Sequence, residues 1–241
     1  MDYLIIIAVI CAFIVKGLCG FANTLVFTTI LSFKTDHINI TPLELLVGYL
    51  SNLIIALKSR HSISAKIYLP LSLLVIIGSI PGTIFLKNGN VQLIKIIFGF
   101  VIVFLGIEML LRGYKKRSYA TSSLILSIIG ITAGILCGLY GIGALLPAYV
   151  SRTTNDDASF KGNLCIVFLV ENTFRIILYT VTGIININLL TDAFGLLPFM
   201  LLGLFIGIAL SKVFKEQHIK KIVILMLIFS GLSLIINNLV F

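Results

Sequence analysis

Charge is scarce in this chain of 241 residues, with only 11% Asp, Glu, Lys or Arg. An ordinary soluble domain carries about 25%. So little charge could not cover a water-soluble fold of this size, which excludes a soluble enzyme or binding module. There is no tryptophan, and the four cysteines (Cys11, Cys19, Cys137, Cys165) all fall inside apolar runs. Cysteines so placed act as small hydrophobes and give no disulfide framework. His37, His61 and His218 lie far apart near loops, so no metal-ligand spacing exists and no cofactor is implied. The chain lacks G-x-x-x-x-G-K-[ST], H-E-x-x-H, aspartate-rich prenyl-transfer motifs and any buried serine–histidine context. Those absences speak against an ATP-driven pump and an intramembrane enzyme.

What is present is hydrophobic: 59% of residues, with a mean hydropathy of +1.15. Each helical crossing of a bilayer core needs about 20 apolar residues. Apolar runs fall near 3–33, 42–57, 67–86, 92–111, 119–150, 160–182, 191–211 and 219–238. The opening Met-Asp-Tyr has no basic region and Lys16 interrupts the first run, so it does not read as a cleavable signal peptide. The net charge of +9 sits in short loops, where it is a topology signal and not a nucleic-acid surface.

Two runs are too long for one crossing, and glycines break both: Gly17-Leu18-Cys19-Gly20-Phe21-Ala22-Asn23 and Gly138-Leu139-Tyr140-Gly141-Ile142-Gly143-Ala144. Other matches follow in the same order. Ser51-Asn52 aligns with Glu171-Asn172, Gly78 and Gly82 with Gly203 and Gly207, and Ile94-Lys95 with Ile219-Lys220. The chain therefore reads as two copies of one unit, 1–114 and 118–241, together forming one transmembrane domain. The paired glycines at 78/82 and 203/207 are expected to be helix-packing faces.

Loop charges set the orientation. Lys58, Arg60 and Lys66, then Arg112, Lys115, Lys116 and Arg117, then Lys212, Lys215, Lys220 and Lys221 mark cytoplasmic loops, whereas 183–190 has no Lys or Arg. Counting crossings back from 183–190 puts loop 151–159 inside, so the fifth run must enter the membrane and return. The expected fold is an all-α integral membrane protein of two inverted repeats. Each repeat is a re-entrant, glycine-broken hairpin plus three transmembrane helices, in the cytoplasmic membrane with both termini extracytoplasmic.

An irregular glycine turn at membrane depth is tolerated only where it lines a protein cavity. Return half-helices starting near Asn23 and Ala144 would aim free N–H groups at that cavity from opposite faces, which suits a small anion. The expected binding residues are Gly20, Phe21, Ala22, Asn23 and Thr24 from one turn, and Gly141, Ile142, Gly143, Ala144 and Leu145 from the other. Asn52, Asn172 and Arg175 would add side-chain donors. Lys16 and Glu171 are candidates for coupling or gating, Glu171 as a proton-sensitive group. The plainer readings are that Lys16 snorkels or caps the turn, that Glu171 and Arg175 form a structural i, i+4 pair, and that the asparagines bond between helices.

At these residues the sequence resembles the TauE/SafE family of membrane transporters, which includes sulfite exporters. The family's glycine-rich G-[FI]-G-G-G-type turn is kept in the second half by Gly138, Gly141, Ile142, Gly143 and Pro147, with Ala144 in a glycine's place. The first half keeps Gly17, Gly20 and Phe21 but has Ala22-Asn23 where glycines are usual. The resemblance implies movement of sulfite, thiosulfate or an organosulfonate. Without an ATP-binding signature the energy is expected from a coupled proton or other ion or from the anion's own gradient, and the inverted repeats favour export by alternating access. The alternatives are a transporter or channel for another small anion, or a non-transporting membrane subunit.

Overall fold

A computed structural model of the chain describes residues 3–31, 40–88, 123–140, 143, 145–154, 156–181 and 183–213, with single positions between 92 and 111 and between 221 and 236. Among the described residues the regular structure is entirely helical. In chain order the elements are α1 (Tyr3–Cys19), α2 (Asn23–Leu31), α3 (Ile40–Lys58), a 3-10 turn (Arg60–Ser62), α4 (Ala65–Asn88), α5 (Ser123–Tyr140), α6 (Leu146–Thr153), α7 (Asp157–Val181) and α8 (Ile187–Val213). Four of these, α3, α4, α7 and α8, are long and apolar enough to cross a membrane. The fourth and eighth apolar runs and the loop at 112–118 lie largely outside the described residues.

The helices overrun the apolar runs by one to four residues at most ends, because polar residues such as Thr41, Asp157 and Lys212 continue the helix into the interface. The first long run divides where expected, into α1 and α2. The second divides into α5 and α6, but α6 starts at Leu146, two residues later than the glycine pattern indicated. Pro147 explains the shift, since proline fits the first turn of a helix, where its missing N–H has no partner to lose.

Small residues set the closest packing. Gly78 and Gly82 of α4 face Gly134 and Gly138 of α5, and a Cβ on any of them would collide with the opposite backbone. Gly203 and Gly207 of α8 meet Ile10, Ile14 and Gly17 of α1 in the same way. Without a hydrophobic driving force between helices in lipid, such backbone approach supplies the dispersion contacts that hold the bundle. In both pairs residue numbers rise together (Val75 by Gly134 and Ser79 by Gly138; Ile10 by Gly203 and Ile14 by Gly207), so the paired helices run parallel.

The α3–α7 contact runs the other way. Tyr49 Oη lies 3.0 Å from Thr173 Oγ1 near one end, while Gly162 lies against Ser59 and Asn163 accepts from the Ser64 N–H at 2.9 Å near the other. These two helices are antiparallel, and both feed the buried core, α3 with Val47 and Ile55 and α7 with Leu164 and Val167. Outward, Leu69, Leu73, Ile77 and Ile80 of α4 and Phe194, Leu202 and Phe205 of α8 are exposed. Apolar faces of that extent suit lipid, not water.

Gly134→Val should destabilise the protein by about 1–3 kcal/mol, because the added side chain meets the Val75 carbonyl and neither backbone can retreat. The check is the thermal midpoint in detergent, with the lipid-facing Leu73→Ala as a control expected to change it little. An unchanged midpoint for Gly134→Val would remove the close α4–α5 contact.

Candidate functional site

The first glycine turn owes its shape to two left-handed residues. Gly20 has φ +85° and Ala22 has φ +70°, so the chain cannot continue a right-handed helix and α1 stops at Cys19. Before the break the Gly20 N–H still donates to the Lys16 carbonyl at 2.7 Å, and after it the Val26 N–H returns to Ala22. A side chain at Gly20 would strike Lys161 of α7 as well as straining the backbone. Phe21 packs edge-on to Phe160 with ring centroids 6.3 Å apart, which seats this turn against the start of α7.

The second turn is described at Gly143 and Leu145, while Gly141, Ile142 and Ala144 lie outside the described residues. Gly143 presses against the Phe168 ring and Leu146, leaving no room for a Cβ. Its carbonyl accepts the Leu146 N–H at 3.1 Å, which starts α6. The two turns, about 121 residues apart in the chain (Gly20 to Gly141), meet at one small cavity. Phe21, Ala22, Asn23, Thr24 and Leu25 line it on one side, Gly143 and Phe168 on the other. It offers about 20 Å³ to the centre of a water-sized sphere, enough for a water but little more.

Around this cavity the buried charges find partners. Lys16 is 1% exposed, and its Nζ donates to Asn52 Oδ1 at 2.5 Å while standing 4.8 Å from the centre of the Phe168 ring. It therefore neither snorkels nor caps the glycine turn. A side chain buried this far cannot reach the interface, and the asparagine and the ring face supply the polar contacts that a buried ammonium requires. Asn52 is thereby committed to Lys16 through its carbonyl oxygen. Arg175 lies 3.5 Å from Glu171 through Nε and donates to Tyr179 Oη at 3.0 Å through a terminal nitrogen. The expected i, i+4 pair is present, and both its members are almost fully buried. Asn172 is buried beside them on α7.

Asn23 and Thr24 are engaged by a residue that the sequence reading passed over. Glu44, buried in the first turns of α3, accepts from Asn23 Nδ2 with one oxygen and from Thr24 Oγ1 at 2.9 Å with the other. A carboxylate two residues after Thr41-Pro42 looks like an acid at a helix start near the interface. The available signal was that any acid within an apolar run is a functional hypothesis. Phe168 and Tyr179 were also missed, because nothing in the local pattern separates them from core aromatics. Among the described residues no group of His, Cys, Asp and Glu could hold a metal ion.

The left-handed Ala22 stores strain that glycine would release, partly offset by the greater freedom glycine gives the unfolded chain. Ala22→Gly should therefore raise stability by about 0.5–1 kcal/mol. The thermal midpoint in detergent checks this, and a lowered midpoint would contradict the turn geometry.

No curated protein and no solved structure matches the chain. The sequence model of one family, described as sulfite exporter TauE/SafE, matches residues 4–234 and so takes in both glycine turns and every helix described above except the first residue of α1. The chain belongs to the TauE/SafE sulfite exporter family.

Proposed function

We propose that this chain is a secondary transporter that carries a small sulfur-containing oxyanion (sulfite, thiosulfate or an organosulfonate) out across the cytoplasmic membrane. Membership of the family already makes it a multi-pass membrane transporter and not an enzyme. The observation that carries the finer reading is the shared cavity: residues 21–25 of one broken helix and Gly143 of the other line the same space. Backbone N–H groups of Phe21 to Thr24 and of Ile142 to Leu145 hold the anion there, at the starts of α2 and α6. Helix N-termini favour an anion through free donors and dipole without fixed charge. A site with few full charges also releases its cargo, because binding must stay weak enough to leave.

The two units 1–114 and 118–241 act as inverted repeats in this reading. Its support is directional. Equivalent helices α3 and α7 run antiparallel, while α4 with α5 and α1 with α8, which exchange under the repeat, each run parallel. Repeats of the same orientation would make α3 and α7 parallel. With the basic 58–66 loop and the start of α7 at the same end, α5 and α7 enter from the cytoplasmic side and α6 must turn back. Both termini then lie outside. The cavity is about the size of a water, and alternating access widens it towards one side at a time in this reading. Lys16, tied to Asn52, and Glu171, paired with Arg175, act as gating groups, and Asn52, Asn172 and Arg175 add donors once the site widens.

Gly20→Val and Gly141→Val should each abolish binding of sulfite and thiosulfate, as read by loss of ligand-induced thermal stabilisation and of flux in proteoliposomes. Arg175→Lys keeps a cation beside Glu171 and should weaken binding by less. If either glycine variant folds and binds as well as the unmodified protein, the two-turn site is wrong. A single cysteine at Thr154, in a background cleared of native cysteines, should resist labelling from outside intact cells. Efficient labelling there would overturn the inverted arrangement.

A further inference from the structure

Glu44 rests on the anion site proposed above and changes what that site must do. Its carboxylate lies over Gly48, where a Cβ would stand 3.1 Å from one oxygen. From there it reaches Asn23 and Thr24, the first two residues of α2, and both of these line the cavity shared with Gly143. The side-chain donors at the start of α2 are thus held by an anion of the chain's own.

A carboxylate and an oxyanion compete for the same donors, and in a low-dielectric site two like charges side by side repel strongly. The charged groups facing Glu44 are Lys16 from α1, and Arg175 and Glu171 from α7; α2 presents only the neutral donors Asn23 and Thr24. Lys16 gives its Nζ to Asn52, and Arg175 is held by Glu171 and Tyr179. An entering dianion therefore meets Glu44 with the nearby cations already engaged. Neutralising the carboxylate is the direct way to free the donors and remove the repulsion together.

We propose that Glu44 is the proton-binding residue of the transport cycle: the oxyanion takes the Asn23 and Thr24 donors, and Glu44 takes up one proton from water as it releases them. The carboxylate and a solvent proton become a neutral carboxylic acid, whose O–H is then free to donate to the bound anion. No bond of the anion is made or broken. Proton and anion move in the same direction. A dianion accompanied by one proton still carries net negative charge outward, which an inside-negative potential favours. This assigns the coupling role to Glu44, at the cavity, and leaves Glu171 with Arg175.

The test is calorimetric titration of thiosulfate, which stays a dianion through the neutral range, into purified protein in two buffers of different ionisation enthalpy. The unmodified protein should take up about one proton per thiosulfate near pH 8, and its Kd should rise about tenfold for each further pH unit. Binding without proton uptake would overturn the proposal. Glu44→Gln should keep binding, lose the uptake and bind about tenfold more tightly near pH 8, because a neutral amide no longer repels the anion. Binding by Glu44→Gln with the uptake intact would also overturn it. If Glu44→Gln fails to fold, the proton count of the unmodified protein decides alone. Failure of the unmodified protein to bind thiosulfate or sulfite at any pH would overturn the anion site itself, and this inference with it.

Discussion

Every backbone N–H and C=O placed in hydrocarbon must find a partner within the protein, and the rest of this structure depends on that constraint. Helices meet it almost alone, although Pro70 and Pro81 in α4 and Pro198 in α8 each take one donor out of the ladder, so α3, α4, α7 and α8 can stand against lipid with leucine, isoleucine and phenylalanine outward. The breaks at Gly20–Ala22 and around Gly143 cannot, and each is enclosed by other elements. Lys161 and Phe160 cover the first, and Phe168 covers the second. The glycine faces between α1 and α8 and between α4 and α5 bring backbones close enough to brace both breaks from outside. A scaffold held by backbone contact positions the turns more firmly than one held by long side chains.

The buried charges obey the same rule in stronger form, since an unpaired ion in this setting costs far more than an unpaired amide. Lys16 is matched by Asn52 and an aromatic face, Glu44 by Asn23 and Thr24, and Arg175 by Tyr179 and by Glu171, the last as an ion pair at 3.5 Å whose facing atoms, Arg175 Nε and Glu171 Oε1, make no hydrogen bond. The partners come from different elements in two of the three sets, so the charges also tie α1 to α3 and α2 to α3. Only the Glu171–Arg175–Tyr179 set stays within one helix. Under the repeat proposed above, Cys137 falls at the place in α5 that Lys16 occupies in α1, so the two units would differ in buried charge.

Much of this was legible in the sequence, for identifiable reasons. The glycine breaks stand out because nothing else interrupts 30 apolar residues so cheaply, and the 171/175 pair because i, i+4 spacing is local. The packing role of Gly78, Gly82, Gly203 and Gly207 was readable from their spacing, although not which helix each would meet. Long-range pairings were not readable. The Lys16–Asn52 and Asn23–Glu44 bonds join residues that only the tertiary fold brings together. The start of α6 was misplaced by two residues because Pro147 outweighs the glycine pattern there. Glu44 looked like an ordinary acid at a helix start, and only its burial and its two donors set it apart.

The central claim is that one anion touches both broken helices at once. Selective ¹⁵N labelling of Thr24 and Gly143 allows each backbone amide to be followed by NMR while thiosulfate is titrated into the purified protein. Both residues line the one cavity, so both signals should shift, with the same midpoint. A shift at one amide with the other unmoved, or two distinct midpoints, would contradict a single site built from both halves.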